Sequence, residues 1–148
     1  MTKITVPWKG WVFLCDGAKA LVLENAGDAA HLDLKTIDVA VQPVPPTRAL
    51  GTDRPGRVHE SAGVSRSAVA ETDLHAEAEA EFVKEAVDHL EKAAESHGVK
   101  HIVVVAPPRA LGIVRGHMGA SLKARVQGEV AKDLMNLPVG EIEKHLAA

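Results

Sequence analysis

The sequence predicts one α/β domain, with a mixed five-stranded sheet flanked by helices. Three observations lead to this prediction: three short apolar runs separated by turn residues, a long amphipathic run in the middle, and alternating strand and helix patterns afterwards. The length of 148 residues is typical of one domain, and chains near this size bury roughly 68 to 70% of the surface that the unfolded chain exposes. We therefore expect a single domain over residues 1–148.

Three strands are predicted before residue 42. The run from Trp11 to Cys15 precedes Asp16-Gly17, a dipeptide typical of tight hairpin turns, and the run from Ala20 to Glu24 follows it. After a second turn at 25–28, apolar and polar residues alternate from His31 to Val41. This pattern predicts a three-stranded meander.

The segment 42–70 differs in composition from the rest of the chain. It is rich in proline, glycine and arginine and has no periodicity, and long segments of this kind are commonly functional or disordered. We predict a long loop here, then a helix that begins at Thr72 or Asp73 and ends at His97, with Gly98 as its stop signal. Its predicted inward stripe is Phe82, Val83, Ala86, Val87, Leu90 and Ala94.

The second half predicts two more strands and two or three more helices. The β-branched run from His101 to Ala106 is too apolar for an edge strand, so we place it centrally and parallel to its neighbour. The later elements are predicted as a helix at 110–118, a short turn at 121–124, a strand at 125–132 and a helix at 139–146. Gly128 disfavours helix and so favours the strand. The predicted order of elements is three strands, a long helix, a strand, a helix, a strand and a helix. This order is typical of a ribonuclease-H-like fold.

Composition excludes several classes of protein. Aromatic residues make up only 3% of the chain, with no tyrosine, so base stacking is excluded as the main mode of nucleic-acid binding. The single cysteine, Cys15, excludes an internal disulfide framework and a multi-thiolate zinc site. No apolar run reaches the roughly 20 residues that span a bilayer, and none resembles a signal-peptide core. We expect a cytoplasmic protein without membrane insertion.

The net charge of -3 is unevenly distributed. Residues 51–98 carry 5 basic and 11 acidic side chains, whereas residues 99–148 carry 7 basic and 4 acidic side chains. Guanidinium groups bind phosphate in a bidentate manner, and loops after parallel strands are common ligand sites. We therefore predict that arginines before the long helix and after the central strand contact phosphate or RNA. They are Arg54, Arg57, Arg66, Arg109 and Arg115.

Catalytic and metal-binding patterns are weak in this sequence. It has no His-Glu-x-x-His motif, no paired cysteines and no glycine-rich nucleotide fingerprint, so we predict no cofactor and no metal. A small hydrolase or nuclease that uses Asp16, Ser61 or His75 stays open as an alternative. The remaining metal-ligand possibilities are His75 with Glu79, His97 with His101, and the strand-end carboxylates Asp16, Glu24 and Glu129.

Several short motifs spread over nearly the whole chain carry a family resemblance. They are Asp16-Gly17-Ala18-Lys19-Ala20, Gly56-Arg57-Val58-His59-Glu60-Ser61-Ala62-Gly63, His75-Ala76-Glu77-Ala78-Glu79, Ala106-Pro107-Pro108-Arg109-Ala110-Leu111-Gly112, and Lys132-Asp133-Leu134 with Leu137-Pro138. In this order and spacing the sequence resembles the bacterial host attachment protein family.

That family is similar to the middle domain of archaeal and eukaryotic peptide-chain release factors, which implies a ribonuclease-H-like fold. In release factors a loop before the long helix carries Gly-Gly-Gln, which helps water to cleave peptidyl-tRNA at the ribosome. The matching stretch here is Ala62-Gly63-Val64, and Val64 has no amide to orient water. The resemblance thus implies a non-catalytic protein that associates with RNA or the ribosome through an arginine-bearing loop.

The family name implies a role in bacterial attachment to host cells. The sequence shows no secretion signal, membrane anchor or disulfide, so we expect any such role to be indirect, through translation or regulation of surface components. A protein-interaction or adhesion factor whose acidic helix contacts a partner is the remaining alternative.

Overall fold

A computed structural model describes residues 5–41 and 61–147, and the side chains of residues 5–41 and 76–146. Within these ranges the secondary structure follows the predicted order of elements. The elements are β1 (Trp11–Cys15), β2 (Lys19–Asn25), β3 (Leu34–Val41), α1 (Ser61–His97), β4 (Ile102–Val105), α2 (Pro108–His117), α3 (Ala120–Arg125), β5 (Val126–Val130) and α4 (Val139–Ala147). None of these helices is long and apolar enough to cross a membrane.

The five strands form one mixed sheet in the order β3-β2-β1-β4-β5. β2 runs antiparallel to β1 and β3, whereas β4 runs parallel to both β1 and β5. Every residue of β1 and β4 is buried, as expected for strands covered on both faces. The predicted mixed five-stranded sheet, with β4 in its interior, is confirmed.

Helices cover both faces of this sheet. Because successive side chains of a strand point to opposite faces, Trp11 and Phe13 pack against α1, α2 and α3, whereas Val12 and Leu14 face the other way. On that second face they pack with Ile142 of α4. The inward stripe of α1 is the predicted one, with Phe82, Val83, Ala86, Val87, Leu90 and Ala94 all buried.

The beginning of the long helix was predicted wrongly. α1 begins at Ser61 rather than at Thr72 or Asp73, so residues 61–70 of the predicted 42–70 loop are helical, and Ala62, Gly63 and Val64 lie in the first turn. Gly63 disfavours helix by about 1 kcal/mol, but extending an existing helix costs little once its nucleus is formed. The packed second half of α1 supplies that nucleus.

Asn25 ties the start of the chain to the sheet. It is fully buried, and its Nδ2 donates to the carbonyl oxygens of Val6 at 2.9 Å and Asp28 at 3.1 Å. Its Oδ1 accepts hydrogen bonds from the backbone N–H groups of Gly27 and Asp33, both at 2.9 Å. Nδ2 also lies within hydrogen-bonding distance of the Pro7 oxygen, at 3.3 Å, so one side chain contacts five backbone groups and holds the turn between β2 and β3 in place.

Candidate nucleic-acid interface

Helix α1 is longer than the sheet that it covers. At its end, His97 contacts Trp11 at the start of β1, with ring centroids 5.4 Å apart. Glu79 lies at the other end of β1, where a Cβ placed on Gly17 would be only 2.7 Å from the Glu79 Cγ. The part of α1 between these contacts spans the sheet. Residues 61–78, which we call the arm, continue past it for about 27 Å at about 1.5 Å per residue.

Arg109 lies at the base of the arm. The arm leaves the sheet at the edge where the parallel strands β1 and β4 end, and α2 begins there at Pro108. The Arg109 side chain is 69% exposed, and its Nη1 lies 3.9 Å from Oε1 of Glu79. This distance is too long for a hydrogen bond, and an exposed ion pair of this kind contributes little stability. The Arg109 guanidinium can therefore bind another anion.

Arg115 occupies a different position on α2. Its Nε donates to Oε1 of Glu129 at 2.6 Å, a short charge-assisted hydrogen bond that joins the end of α2 to β5. A rise of about 1.5 Å per residue places Arg115 about 9 Å from Arg109 along the helix axis, away from the arm. The structure thus brings Arg109 to the arm and leaves Arg115 engaged with Glu129.

The other predicted arginines belong to the arm or to the segment before it. Arg66 lies in the arm, while Arg54 and Arg57 fall outside the described residues. Ala62, Gly63 and Val64, which the sequence predicts to match the release-factor motif, lie at the end of the arm farthest from the sheet.

Sequence comparison with known families assigns the chain to a family. A family model for bacterial archaeo-eukaryotic release factor family 12 matches residues 9–146. The chain belongs to this family. The match confirms the predicted release-factor resemblance over nearly the whole length of the chain and suggests a translation-related role.

The family 12 protein also has a similar sequence in Rickettsia prowazekii (strain Madrid E), in an uncharacterized protein. The two are 33% identical over 70 residues, which is 46% of this chain and 47% of that protein. The chain therefore matches about half the length of this relative.

Sequence reasoning missed the contacts of Glu79 in the family 12 protein. The sequence predicts Glu79 as a possible metal ligand beside His75 and Gly17 as a turn residue, and it places both in motifs of the family resemblance, but it gives no contact between them. The structure places Glu79 against Gly17 and near Arg109. The Asp-Gly dipeptide was a partial signal, because a glycine at a turn also permits another element to approach closely.

The strand-end carboxylates of the family 12 protein do not form a cluster. Oδ1 of Asp16 accepts the backbone N–H groups of Ala18 and Lys19, both at 2.8 Å, and so completes the β1–β2 turn. Glu24 lies on β2 and Glu129 on β5, with β1 and β4 between them. At about 4.8 Å per strand these two strands are about 14 Å apart, too far for carboxylates to share a two-metal site.

The two histidines considered together as metal ligands bind backbone carbonyls instead. Nδ1 of His97 lies 2.9 Å from the Ala93 oxygen, and Nε2 of His101 lies 2.7 Å from the Thr5 oxygen. The side chain of His75 falls outside the described range. Among the side chains that the structure describes, no group of three or more His, Cys, Asp and Glu residues is placed to hold a metal ion.

Cys15 is a buried thiol in the core beneath α1. Desolvation by burial and, to a smaller extent, the neighbouring Asp16 carboxylate together raise its pKa to about 12. Since the thiolate is the reactive form of cysteine, Cys15 is not a nucleophile at neutral pH.

We expect Cys15 to react with a thiol reagent at least about 100-fold more slowly in the native protein than in the urea-unfolded chain. Folding raises the pKa of the Cys15 thiol from 9.0 to about 12. The buried protonated thiol therefore contributes its full stabilisation of the folded state below pH 9.0, and this stabilisation is lost as the pH rises toward about 12. The Cys15→Ala variant should therefore lose less stability above pH 9.0 than the unsubstituted protein. Equal reaction rates in the native and unfolded states would contradict the burial of this thiol.

Proposed function

We propose that this protein binds structured RNA, with ribosomal RNA as the first candidate, and does not hydrolyse peptidyl-tRNA. The observation that carries the proposal is the arm, which extends about 27 Å past the sheet edge and has the exposed Arg109 at its base. A thin helical projection can enter a crevice of a large partner that the body of the domain cannot enter. Membership of a release-factor family supports the ribosome as that partner.

Phosphate recognition by arginine is the proposed chemistry. Arg66 lies in the arm, Arg54 and Arg57 precede it in the sequence, and Arg109 lies beside it. Guanidinium groups pair with phosphate oxygens in a bidentate manner. The positive end of the α2 dipole lies next to Arg109 and favours an anion at the same edge.

The acidic side of α1 restricts how RNA approaches. Glu77, Glu81 and Glu85 are exposed and recur every four residues, so they form one negative row on the outer side of this helix. This row repels phosphate. Because Glu77 lies at the base of the arm, we propose that RNA meets the protein at the sheet edge by Arg109 and at residues 61–70 of the arm rather than along the acidic row.

The residue at the position of the release-factor glutamine supports a role in RNA binding without hydrolysis of peptidyl-tRNA. In the resemblance, Val64 stands where the release factors carry the glutamine that helps to cleave peptidyl-tRNA, and the side chain of valine has no hydrogen-bonding group to orient water. We expect no peptide release when the purified protein is added to ribosomes that carry peptidyl-tRNA. Peptide release at a rate above that of ribosomes alone would contradict this part of the proposal.

We further propose that the fold is ribonuclease-H-like and that the protein acts in the cytoplasm. The strand order β3-β2-β1-β4-β5, with only β2 reversed, supports the fold assignment. The cytoplasm is where ribosomes are found, and an effect on attachment to host cells would then be indirect, through translation.

Replacing Arg109 with alanine is expected to weaken RNA binding by about threefold to tenfold and to lower the slope of log affinity against log salt by about 1. Arg115→Ala is the matched control, because it removes an arginine from the same helix that is held by Glu129. We expect this control to change the affinity by less than about twofold. Fluorescence anisotropy with a labelled ribosomal RNA fragment, repeated over a salt series, measures both quantities. Equal effects of the two substitutions, or no binding at low salt, would contradict the proposed site.

A further inference from the structure

Residues 5–10 lie along the sheet edge opposite the arm, where the parallel strands begin. The backbone oxygen of Thr5 lies 2.7 Å from Nε2 of His101, which precedes β4. The N–H of Lys9 donates to the oxygen of Asn25, at the end of β2, at 2.8 Å. This segment therefore passes the beginnings of β1 and β4. The five residues of β1 separate it from the base of the arm by about 16 Å, at about 3.3 Å per residue.

A tight turn over residues 7–10 presents Trp8 to solvent. The N–H of Gly10 donates to the oxygen of Pro7 at 2.9 Å and closes the turn. The same Pro7 oxygen lies 3.3 Å from the amide nitrogen of the buried Asn25 side chain, so the turn is held from beneath. The Trp8 side chain is 63% exposed. A fixed backbone therefore holds an uncovered indole ring at this edge.

Lys9 adds a positive charge to this indole. Its Nζ lies 4.8 Å from the centroid of the Trp8 ring, within the range of a cation–π contact. The φ angle of Lys9 is 67°, in the left-handed region that ordinarily favours glycine. Residues held in this conformation are found most often at binding and functional sites. The conformation of Lys9 thus indicates that its side chain has a role that glycine could not fill.

More basic residues follow along the same edge. Lys100 and Arg125 directly precede β4 and β5, the strands that follow β1 in the sheet, and at about 4.8 Å per strand the three strands begin within about 10 Å. Lys100 is exposed, and Arg125 is half-buried with one guanidinium N–H donated to the Val99 oxygen. The ion pairs formed among the described side chains include none with Lys9, Lys100 or Arg125.

The acidic residues at this end of the sheet lie mainly on the other side of β1. Asp28 accepts two backbone N–H groups of the β2–β3 turn, and Asp33 lies 3.4 Å from Lys35. Glu95, near the end of α1, is exposed as well. Against this one carboxylate, the three cations that precede β1, β4 and β5 leave a net positive charge.

We propose that Trp8, Lys9, Lys100 and Arg125, which we call the strand-start surface, bind an unpaired stretch of RNA. One base stacks on Trp8, and the neighbouring phosphates contact the three cations. A base inside a duplex has both faces covered, so this surface selects single-stranded RNA. The choice of RNA as the ligand rests on the proposed function. The stacked base is a second contact beside the arm, and an RNA that reaches both would crosslink to Trp8 as well as to the arm.

Fluorescence titration of the full-length protein with a single-stranded oligouridylate of about eight nucleotides tests the stacking. Trp11, the other tryptophan, is buried, so quenching by a stacked base reports mainly on Trp8. We expect quenching at low salt, and no comparable quenching by an RNA duplex of the same length. Equal quenching by the duplex, or no quenching by either RNA, would overturn the proposal.

Substitution of Trp8 tests whether the ring supplies affinity. Trp8→Ala is expected to weaken binding of the labelled oligonucleotide by about fivefold or more in fluorescence anisotropy, whereas Trp8→Phe, which keeps a stacking ring, weakens it less. Val41→Ala is the matched control, because it truncates an apolar side chain that is 57% exposed at the other end of the sheet. Equal affinities of Trp8→Ala and Val41→Ala would overturn the proposal.

Lys100→Ala separates the phosphate contacts from the stacking. Loss of one phosphate contact to a single strand lowers the slope of log affinity against log salt by about 0.7. We expect this change for Lys100→Ala and none for Trp8→Ala, because a stacked base neutralises no phosphate charge. An unchanged slope for Lys100→Ala would contradict phosphate binding at the strand-start surface.

The outcomes for this surface and for the arm can be told apart. Binding of ribosomal RNA that depends on Arg109, with no Trp8-dependent binding of the oligonucleotide, would overturn this proposal and leave the proposed function standing. Trp8-dependent binding with no effect of Arg109→Ala would do the reverse. Vesicles of phosphatidylserine are the comparison ligand, since Trp8 and the lysines also fit an anionic membrane surface. A change in Trp8 fluorescence with these vesicles and none with the oligonucleotide would overturn the assignment to RNA.

Discussion

Replacing Asn25 with alanine is expected to lower the free energy of unfolding by about 3 kcal/mol, because a buried group without a partner costs about 1 to 3 kcal/mol. Five backbone groups lose the Asn25 side chain, and of these the Pro7 oxygen keeps its hydrogen bond from the Gly10 N–H. Water can reach several of these groups, which keeps the total below the sum of four full penalties. Urea unfolding followed by circular dichroism measures the change, with Lys35→Ala, an exposed residue on the same hairpin, as the control.

The Asn25→Asp variant separates the effect of the side chain's shape on stability from the effect of its hydrogen-bond donors. The carboxylate keeps the shape and can still accept from Gly27 and Asp33, but it cannot donate to the carbonyl oxygens of Val6 and Asp28. We expect it to be at least as destabilising as alanine, because a buried negative charge would face the carbonyl oxygens of Val6, Pro7 and Asp28. Stability equal to that of the unsubstituted protein would show that the amide donors of Asn25 contribute nothing.

The second large effect is expected at Leu90, which anchors α1 to the sheet. Its side chain is fully buried in the core that contains Trp11 and Phe13, so Leu90→Ala leaves a cavity. Substitutions of this type lower the free energy of unfolding by about 2.7 to 5 kcal/mol. Glu95→Ala, at an exposed position on the same helix, should change it by less than about 0.5 kcal/mol. A similar small effect at Leu90 would contradict the packing of α1 described above.

The sheet could be predicted from sequence because its signals are local. Asp16-Gly17 marks the first hairpin, and the run from Ile102 to Val105 is apolar at every residue, as a strand covered on both faces requires. The inward stripe of α1 is also local, since its spacing follows the helical period.

The extent of α1 could not be predicted in the same way. Residues 61–70 show no apolar periodicity, so sequence reasoning assigned them to a loop, although the chain continues there as helix beyond the sheet. A helix that projects past its packing partners needs no inward stripe, and this removes the signal on which helix prediction depends.

The candidate site was only partly predictable for a related reason. Arg109 was expected to face the ligand edge because it follows β4. Its position near Glu79, and the separation of Arg115 by its bond to Glu129, depend on which strands and helices are neighbours. Sequence spacing alone does not contain that information.

Ultraviolet crosslinking in living cells tests most directly whether the arm and the sheet edge at its base contact RNA. RNA recovered with the purified protein is sequenced, and the crosslinked peptides are located by mass spectrometry. We expect ribosomal RNA to be enriched and the crosslinks to fall within residues 54–66 and at Arg109, with few on α4, which lies on the other face of the sheet. Recovery of no RNA above background, or crosslinks concentrated on α4, would contradict the proposed function.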